Sequence, residues 1–220
     1  MNSVVNRMTP SITTMIRMDH AHVMALSHRY TPDTPAARKR ALITNACIAL
    51  EVHAQLEEEI FYPVLRQLLP EDEVLEKSEP EHAQVRAFVA QLRERCESGE
   101  PLDQDVDEKF FALMRAVLHH VADEEARLLP VAERMLSHEE LTRLGGEMTR
   151  RRLELMKPHG WEIATSTVRS FPVGAATGAA LVTAGAVALG AMLFSRSRRN
   201  GRHEDWRASD ADERRPTRFM

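Results

Sequence analysis

One pattern occurs twice in this chain and limits what it can fold into. His53-Ala54-Gln55-Leu56-Glu57-Glu58 leads to Pro63-Val64, and His120-Val121-Ala122-Asp123-Glu124-Glu125 leads to Pro130-Val131. In both copies the histidine, the glutamate four residues on, the next glutamate and the Pro-Val pair fall in register. Positions i and i+4 share one face of a helix, so each copy aims an imidazole and a carboxylate at the same point. Two such helices facing one another can hold metal between them.

The surrounding sequence supplies the helices. Aromatic content is low, at 5%, while Ala, Leu, Met, Glu and Arg are plentiful, which favours helix over sheet. Four amphipathic runs are predicted. The first spans about Ser11 to Ser27, with Ile12, Met15, Ile16, Val23, Met24 and Leu26 apolar. The second starts with Thr34 as N-cap and Pro35 in the first helical position, and it carries the first His/Glu pair. Leu69-Pro70-Glu71-Asp72 breaks it, and Ser78-Glu79-Pro80-Glu81 reads as a capping box opening the third run, which Ser98-Gly99 ends. The fourth starts near Leu102 and reaches the second pair. Pro63 and Pro130, each ten residues after its histidine, are expected to kink or end the helices that bear the pairs.

The duplication extends upstream. Asp19-His20-Ala21-His22-Val23 matches Glu81-His82-Ala83-Gln84-Val85, and each lies one helix length before its His/Glu helix. The chain thus holds two copies of a hairpin, which pack most simply as an all-α, up-down-up-down four-helix bundle over residues 11–145. A lone H-x-x-x-E is ordinarily a surface pair, but recurrence of the whole set points to a metal site. The set is His20, His53, Glu57, His82, His120 and Glu124. Imidazoles with carboxylates and no cysteine suit iron or manganese better than a thiolate zinc site. Each glutamate can offer two oxygens to two cations while the histidines hold the ends, as in dinuclear carboxylate bundles. Glu58 and Glu125, at i+5, are read as solvated or as partners of the ligands, and Asp19 as an orienting or a surface acid. Tyr30 and Tyr62 are read as packing residues.

These pieces, Asp19-His20, His53-x-x-x-Glu57-Glu58 through Phe61-Tyr62-Pro63, Glu81-His82, and His120-x-x-x-Glu124-Glu125 through Leu128-Leu129-Pro130, resemble the hemerythrin-like (HHE) cation-binding domain. The resemblance covers residues 11 to roughly 140. It implies a non-haem, bridged di-iron centre, with His20, His53, His82 and His120 as terminal ligands and Glu57 and Glu124 as bridges. It implies a small ligand, dioxygen, nitric oxide or peroxide, in sensing or detoxification. There is one departure. Oxygen carriers of the family have a further histidine one turn after that of the third helix, and here that position is Arg86. One iron is then left open or ligated by another group, Glu81 and His119 being the candidates. An open position favours reaction over reversible carriage. The alternative is a non-catalytic iron-binding or regulatory module read out by a partner or by the C-terminal segment.

The rest of the chain is read more coarsely. Acidic and basic residues are intermixed, at a formal net charge of -4, which argues against nucleic-acid binding. Cys47 and Cys96 sit far apart and are expected to be reduced thiols. Residues 1–10 read as a flexible N-terminus without a signal peptide, 146–170 as a basic linker, and 195–220 as a charged, disordered tail. The stretch 171–194 has no charged residue and is long enough to cross a bilayer, with Gly174 and Gly178 forming a G-x-x-x-G pair suited to self-association. It is read as a single transmembrane-type helix anchoring a cytoplasmic bundle. A soluble Gly/Ala helix or a disordered tail, with the protein free in the cytoplasm, is the alternative.

Overall fold

Ser11 opens the first helix. Its hydroxyl accepts the backbone N–H of Thr14, one of the donors that a helix start leaves open. In the computed structural model, which describes residues 10–160 and Glu162, this helix is α1 (Ile12–His28). The second rod comprises α2 (Ala36–Leu56), a π-helical turn (Glu57–Phe61) and α3 (Tyr62–Leu68). Next come α4 (Glu73–Glu97) and a fourth rod of α5 (Gln104–Asp123), a second π-helical turn (Glu124–Leu128) and α6 (Leu129–Met135). A fifth rod, α7 (His138–Met156), ends in a short 3-10 turn, Lys157–His159. There is no strand among the described residues.

Directions follow from which residues share a core. One apolar cluster joins Ile12 and Ile16 of α1 to Leu56, Leu65, Leu75 and Leu129. A second joins Val23 and Leu26 of α1 to Leu42, Leu50, Val89, Val106 and Phe110. The first and third rods therefore run from the first cluster to the second, and the second and fourth run back. This is the up-down-up-down bundle expected from short connections. The polar residues of the doubled motif lie between the two clusters.

Four local expectations need correction. Thr34 does not cap α2: Pro35 occupies the flanking position without a side-chain cap, and the Thr34 hydroxyl accepts from the Thr31 N–H in the preceding loop. The Ser78–Glu81 pattern does not open α4. Asp72 does, its carboxylate accepting from the Val74 and Leu75 N–H groups at 2.9 and 3.2 Å, and Pro80 lies inside the helix. Pro63 and Pro130 do not end their helices. A proline lacks the N–H for the bond to residue i−4 and crowds that carbonyl. In both copies a wide turn takes up the defect just upstream, with the Tyr62 N–H bonded to Glu57 O and the Leu129 N–H to Glu124 O, five residues back.

The fourth correction concerns the domain's end. The bundle does not stop at Gly145-Gly146, and the segment from 146 is not a linker up to Met156. A capping box of Ser137 and Glu140 starts α7, which runs through both glycines and places Leu141, Leu144 and Met148 in the first cluster. Gly145 is a close approach: a Cβ there would overlap the Pro10 carbonyl oxygen and press on Ile12 N. Among the described residues no helix is long and apolar enough to cross a membrane. The segment 171–194, the tail 195–220, residues 1–9 and the end of the expected linker, 163–170, lie outside the described residues.

Candidate metal centre

The two π turns begin at Glu57 and at Glu124, one helical turn after His53 and His120. α1 and α4 bring His20 and His82 to the same level. All six side chains are buried, the two glutamates completely. Their donor atoms fall into two groups, His20/His53/Glu57/Glu124 and Glu57/His82/His120, each with its atoms within 4.8 Å of one another. Glu57 belongs to both. Its Oε2 lies 3.3 Å from His53 Nε2, 3.5 Å from His82 Nε2 and 3.9 Å from His120 Nε2. Glu124 Oε2 lies 3.2 Å from His20 Nε2 and 3.9 Å from His120 Nε2. A cation bonded at roughly 2.1 Å wants donors roughly 3 to 3.5 Å apart, so these groups need only a small contraction to hold one.

The donors fit a metal in a second way. His20 Nε2, His53 Nε2, Glu57 Oε1 and both Glu124 oxygens are buried without a hydrogen-bond partner. Buried polar atoms left open are costly, and a cation would satisfy all of them at once. Imidazole and carboxylate together, with no thiolate among them, suit iron or manganese.

Three of the histidines are hydrogen-bonded from outside to a carboxylate, and the fourth, His53, faces one. Nδ1 of His20 meets Glu125 Oε1 at 2.8 Å, that of His82 meets Glu58 Oε1 at 3.0 Å, and that of His120 meets Glu81 Oε2 at 2.9 Å. His53 Nδ1 faces Asp19 Oδ2 at the longer distance of 3.5 Å. A carboxylate can only accept, so Nδ1 carries a proton in these pairs, and Nε2 faces inward, where a metal would take its lone pair in exchange for any second proton. Position i+5 does turn Glu58 and Glu125 away from their own histidines, but each then reaches a histidine of the other hairpin. Glu81 is not a helix-start charge. It sits inside α4, on the outer side of His120, and His119 is exposed, so neither faces the inner donors.

Arginines brace two of these carboxylates. Arg86 Nη1 donates to Glu58 Oε1 at 2.7 Å, so the residue in place of the fifth histidine points outward rather than at the donors. Arg152 of α7 donates through both terminal nitrogens to the two Asp19 oxygens, at 2.5 Å each. The inward space beside His82 is occupied instead by Tyr62. Its hydroxyl donates to Glu57 Oε2 at 3.2 Å and lies 3.4 Å from His82 Nε2, with the two rings stacked. Tyr62 was expected to pack, with a place beside the site as the alternative. The one signal for it is a difference between the copies, Phe61-Tyr62-Pro63 against Leu128-Leu129-Pro130. Tyr30 lies away from the site, donating to Asp107 in the second cluster.

The electrostatics are those of a site without its cation. Burial opposes ionisation of Glu57, but His53, His120 and His82 outweigh it and hold its carboxyl well below the usual range. Burial and then the Glu57 charge push the Glu124 carboxyl up. Burial, Glu57 and Glu124 raise the Tyr62 phenol, which therefore stays a hydrogen-bond donor. Burial works against a charged His120, yet the Glu57 and Glu124 carboxylates prevail and its pKa is pushed up from 6.5 to about 9. That proton stabilises the metal-free fold fully below pH 6.5, and the contribution is lost as the pH rises through about 9. A bound metal must displace the same proton. Metal affinity is thus expected to move the opposite way, rising about tenfold per pH unit up to that pKa from this histidine alone. Competition titrations against a chelator check this, and a flat affinity over the range would contradict it.

A cavity of about 20 Å³ abuts the histidines on the side of the second cluster. Val23, Leu50, Val85 and Val117 line it, one from each of the four bundle rods, each one turn from a site histidine. Its volume suits one molecule about the size of water. The comparisons agree with this arrangement. A family model described as the Hemerythrin HHE cation binding domain matches residues 11–132. No curated protein and no solved structure matches the chain.

Proposed function

Because this chain belongs to the hemerythrin HHE cation-binding family, we propose that it is a non-haem di-iron protein that binds or reacts with dioxygen, nitric oxide or peroxide, in sensing or detoxification. The observation that carries the reading is the set of buried, inward-facing donors without partners, bordered by a small, mostly apolar cavity. His20, His53, His82 and His120 would hold the outer ends of the metal pair, and Glu57 and Glu124 would lie between. Iron bound there supplies redox change and an open coordination position; manganese suits the same donors.

The chain's own residues do the rest. The four outer carboxylates fix the imidazoles with Nε2 inward. The apolar walls at Val23, Leu50, Val85 and Val117 keep bulk water from the donors and leave room only for a very small molecule. Tyr62 holds a proton at its hydroxyl beside Glu57 and His82, on the side where Arg86 leaves a ligand missing. That missing ligand favours reaction over carriage.

A regulatory iron-binding module is the second reading. Arg152 favours it, since it ties Asp19 and His53 to a helix that leads on to the C-terminal part. Membrane anchoring by 171–194, with the bundle in the cytoplasm, and self-association through Gly174 and Gly178 belong to this proposal, resting on the uncharged stretch alone. No nucleic-acid partner is proposed.

Metal analysis of the full chain after iron-replete expression is expected to give two irons per chain, with the near-ultraviolet absorption of a bridged ferric pair. Fewer than one metal per chain would sink both readings. Catalytic consumption of peroxide or nitric oxide supports the first and its absence the second. Recovery of the chain in the soluble fraction without detergent would remove the anchor.

A further inference from the structure

Of the four carboxylates behind the histidines, two are bonded to an arginine: Asp19 is clamped by Arg152 and Glu58 by Arg86. Glu81 meets a different environment. Its Oε1 lies 3.6 Å from Nδ1 of His119, which itself lies 3.9 Å from Asp123 Oδ2. Donor atoms from all three residues lie within 4.8 Å of one another. His119 and Asp123 are one turn apart on the same face of α5, and Glu81 comes from α4, so two packed helices supply the donors. Two carboxylates and an imidazole thus stand together here, where Asp19 and Glu58 have guanidinium.

We propose that Glu81, His119 and Asp123 form a second, solvent-reached site for a divalent cation, through which the buried centre is loaded. One imidazole nitrogen and carboxylate oxygens suit ferrous iron, manganese or zinc. His119 Nδ1 stands 3.6 Å from Glu81 Oε1 and 3.9 Å from Asp123 Oδ2, so these two pairs need to close by only a few tenths of an ångström to reach the roughly 3 to 3.5 Å separations of a bound ion. The side chains of His119 and Asp123 are 71% and 40% exposed, against 4 to 6% for the site histidines His20, His53 and His120 and 3% for His82, so an ion meets this triad first. The link inward is a single hydrogen bond of 2.9 Å. Glu81 Oε2 contacts Nδ1 of His120, whose Nε2 faces Glu57 and Glu124. Two like charges at the surface also concentrate cations locally and speed their capture.

The loading role rests on the buried centre proposed above; the surface site itself does not. Anaerobic titration of the metal-free full chain with cobalt(II) tests both. The wild type is expected to take up three ions, and His119→Ala combined with Asp123→Asn two, with filling of the buried pair slowed by about tenfold. Glu57→Ala combined with Glu124→Ala removes the buried pair and keeps the surface ion, which the further His119 and Asp123 changes then remove. If the buried centre does not exist, the wild type binds one ion and the surface variant none. Unchanged stoichiometry in the surface variant overturns the site, and a lost ion with unchanged filling rate overturns the loading role.

Discussion

Glu57→Ala is expected to reduce the metal held at the buried centre from two ions per chain to no more than one. Glu57 is the carboxylate common to both donor groups, and without it His20 and His53 are separated from His82 and His120. The remaining imidazoles cannot compensate, because each has one inward nitrogen and no second oxygen with which to span two ions. Glu124→Ala should act in the same direction, stripping the first group of its other carboxylate. The outer carboxylates behave differently. Glu58→Ala and Glu125→Ala leave the inner donors in place and loosen only the orientation of His82 and His20. Affinity should fall by about 10- to 100-fold with two ions still bound at saturation. Metal analysis together with chelator competition separates the two outcomes. Equal loss of stoichiometry in all four variants would refute the division into inner and outer carboxylates.

Gly145→Ala is expected to destabilise the fold by about 2 to 3 kcal/mol, a large loss for the addition of one methyl group. Alanine ordinarily improves a helix interior by roughly 0.5 to 1 kcal/mol relative to glycine, so the sign is the informative part. Here the new Cβ would meet backbone, the Pro10 carbonyl oxygen with Ser11 C and Ile12 N behind it, and backbone at a helix start cannot swing aside as a side chain can. Relief requires α7 to lift from α1, which would uncover Leu144, Met148 and Ile16. It would also pull Arg152 from Asp19. Urea unfolding measures the loss. Gly146→Ala is the internal control: its Cβ meets nothing, and it should be neutral or slightly stabilising.

The meeting of the six inner side chains was legible in the sequence because a helical repeat brings imidazole and carboxylate to one face, and the chain states that repeat twice. The four-rod bundle was legible for the same reason, its apolar positions being local and periodic. What escaped depended on contacts between distant segments. Gly145-Gly146 looks like a stop, and only the nearness of Pro10 shows why a glycine sits inside a continuing helix. The apolar spacing of Leu141, Leu144 and Met148 and the Ser137/Glu140 cap were present but were cut off by that stop. The two prolines announce a defect without saying where the helix will absorb it, and the answer, a wide turn starting at the inner glutamate, comes from the folded geometry. Tyr62 differs from packing residues by one oxygen atom, and its role depends on His82 lying opposite. Glu58 and Glu125 were read correctly as pointing away from their own histidines, while the histidines they do reach lie on the other hairpin.

That last exchange has a consequence for how the domain is put together. Asp19 and Glu81 serve histidines of their own hairpins, His53 and His120, but Glu58 and Glu125 cross over to His82 and His20. Neither hairpin can satisfy both of its own histidines. A polypeptide carrying only one of them would need a second such hairpin, related by an approximate two-fold axis, to complete the arrangement. The chain thus resembles a two-fold dimer written in a single strand, with the short connection from Leu69 to Asp72 as the tether between its halves.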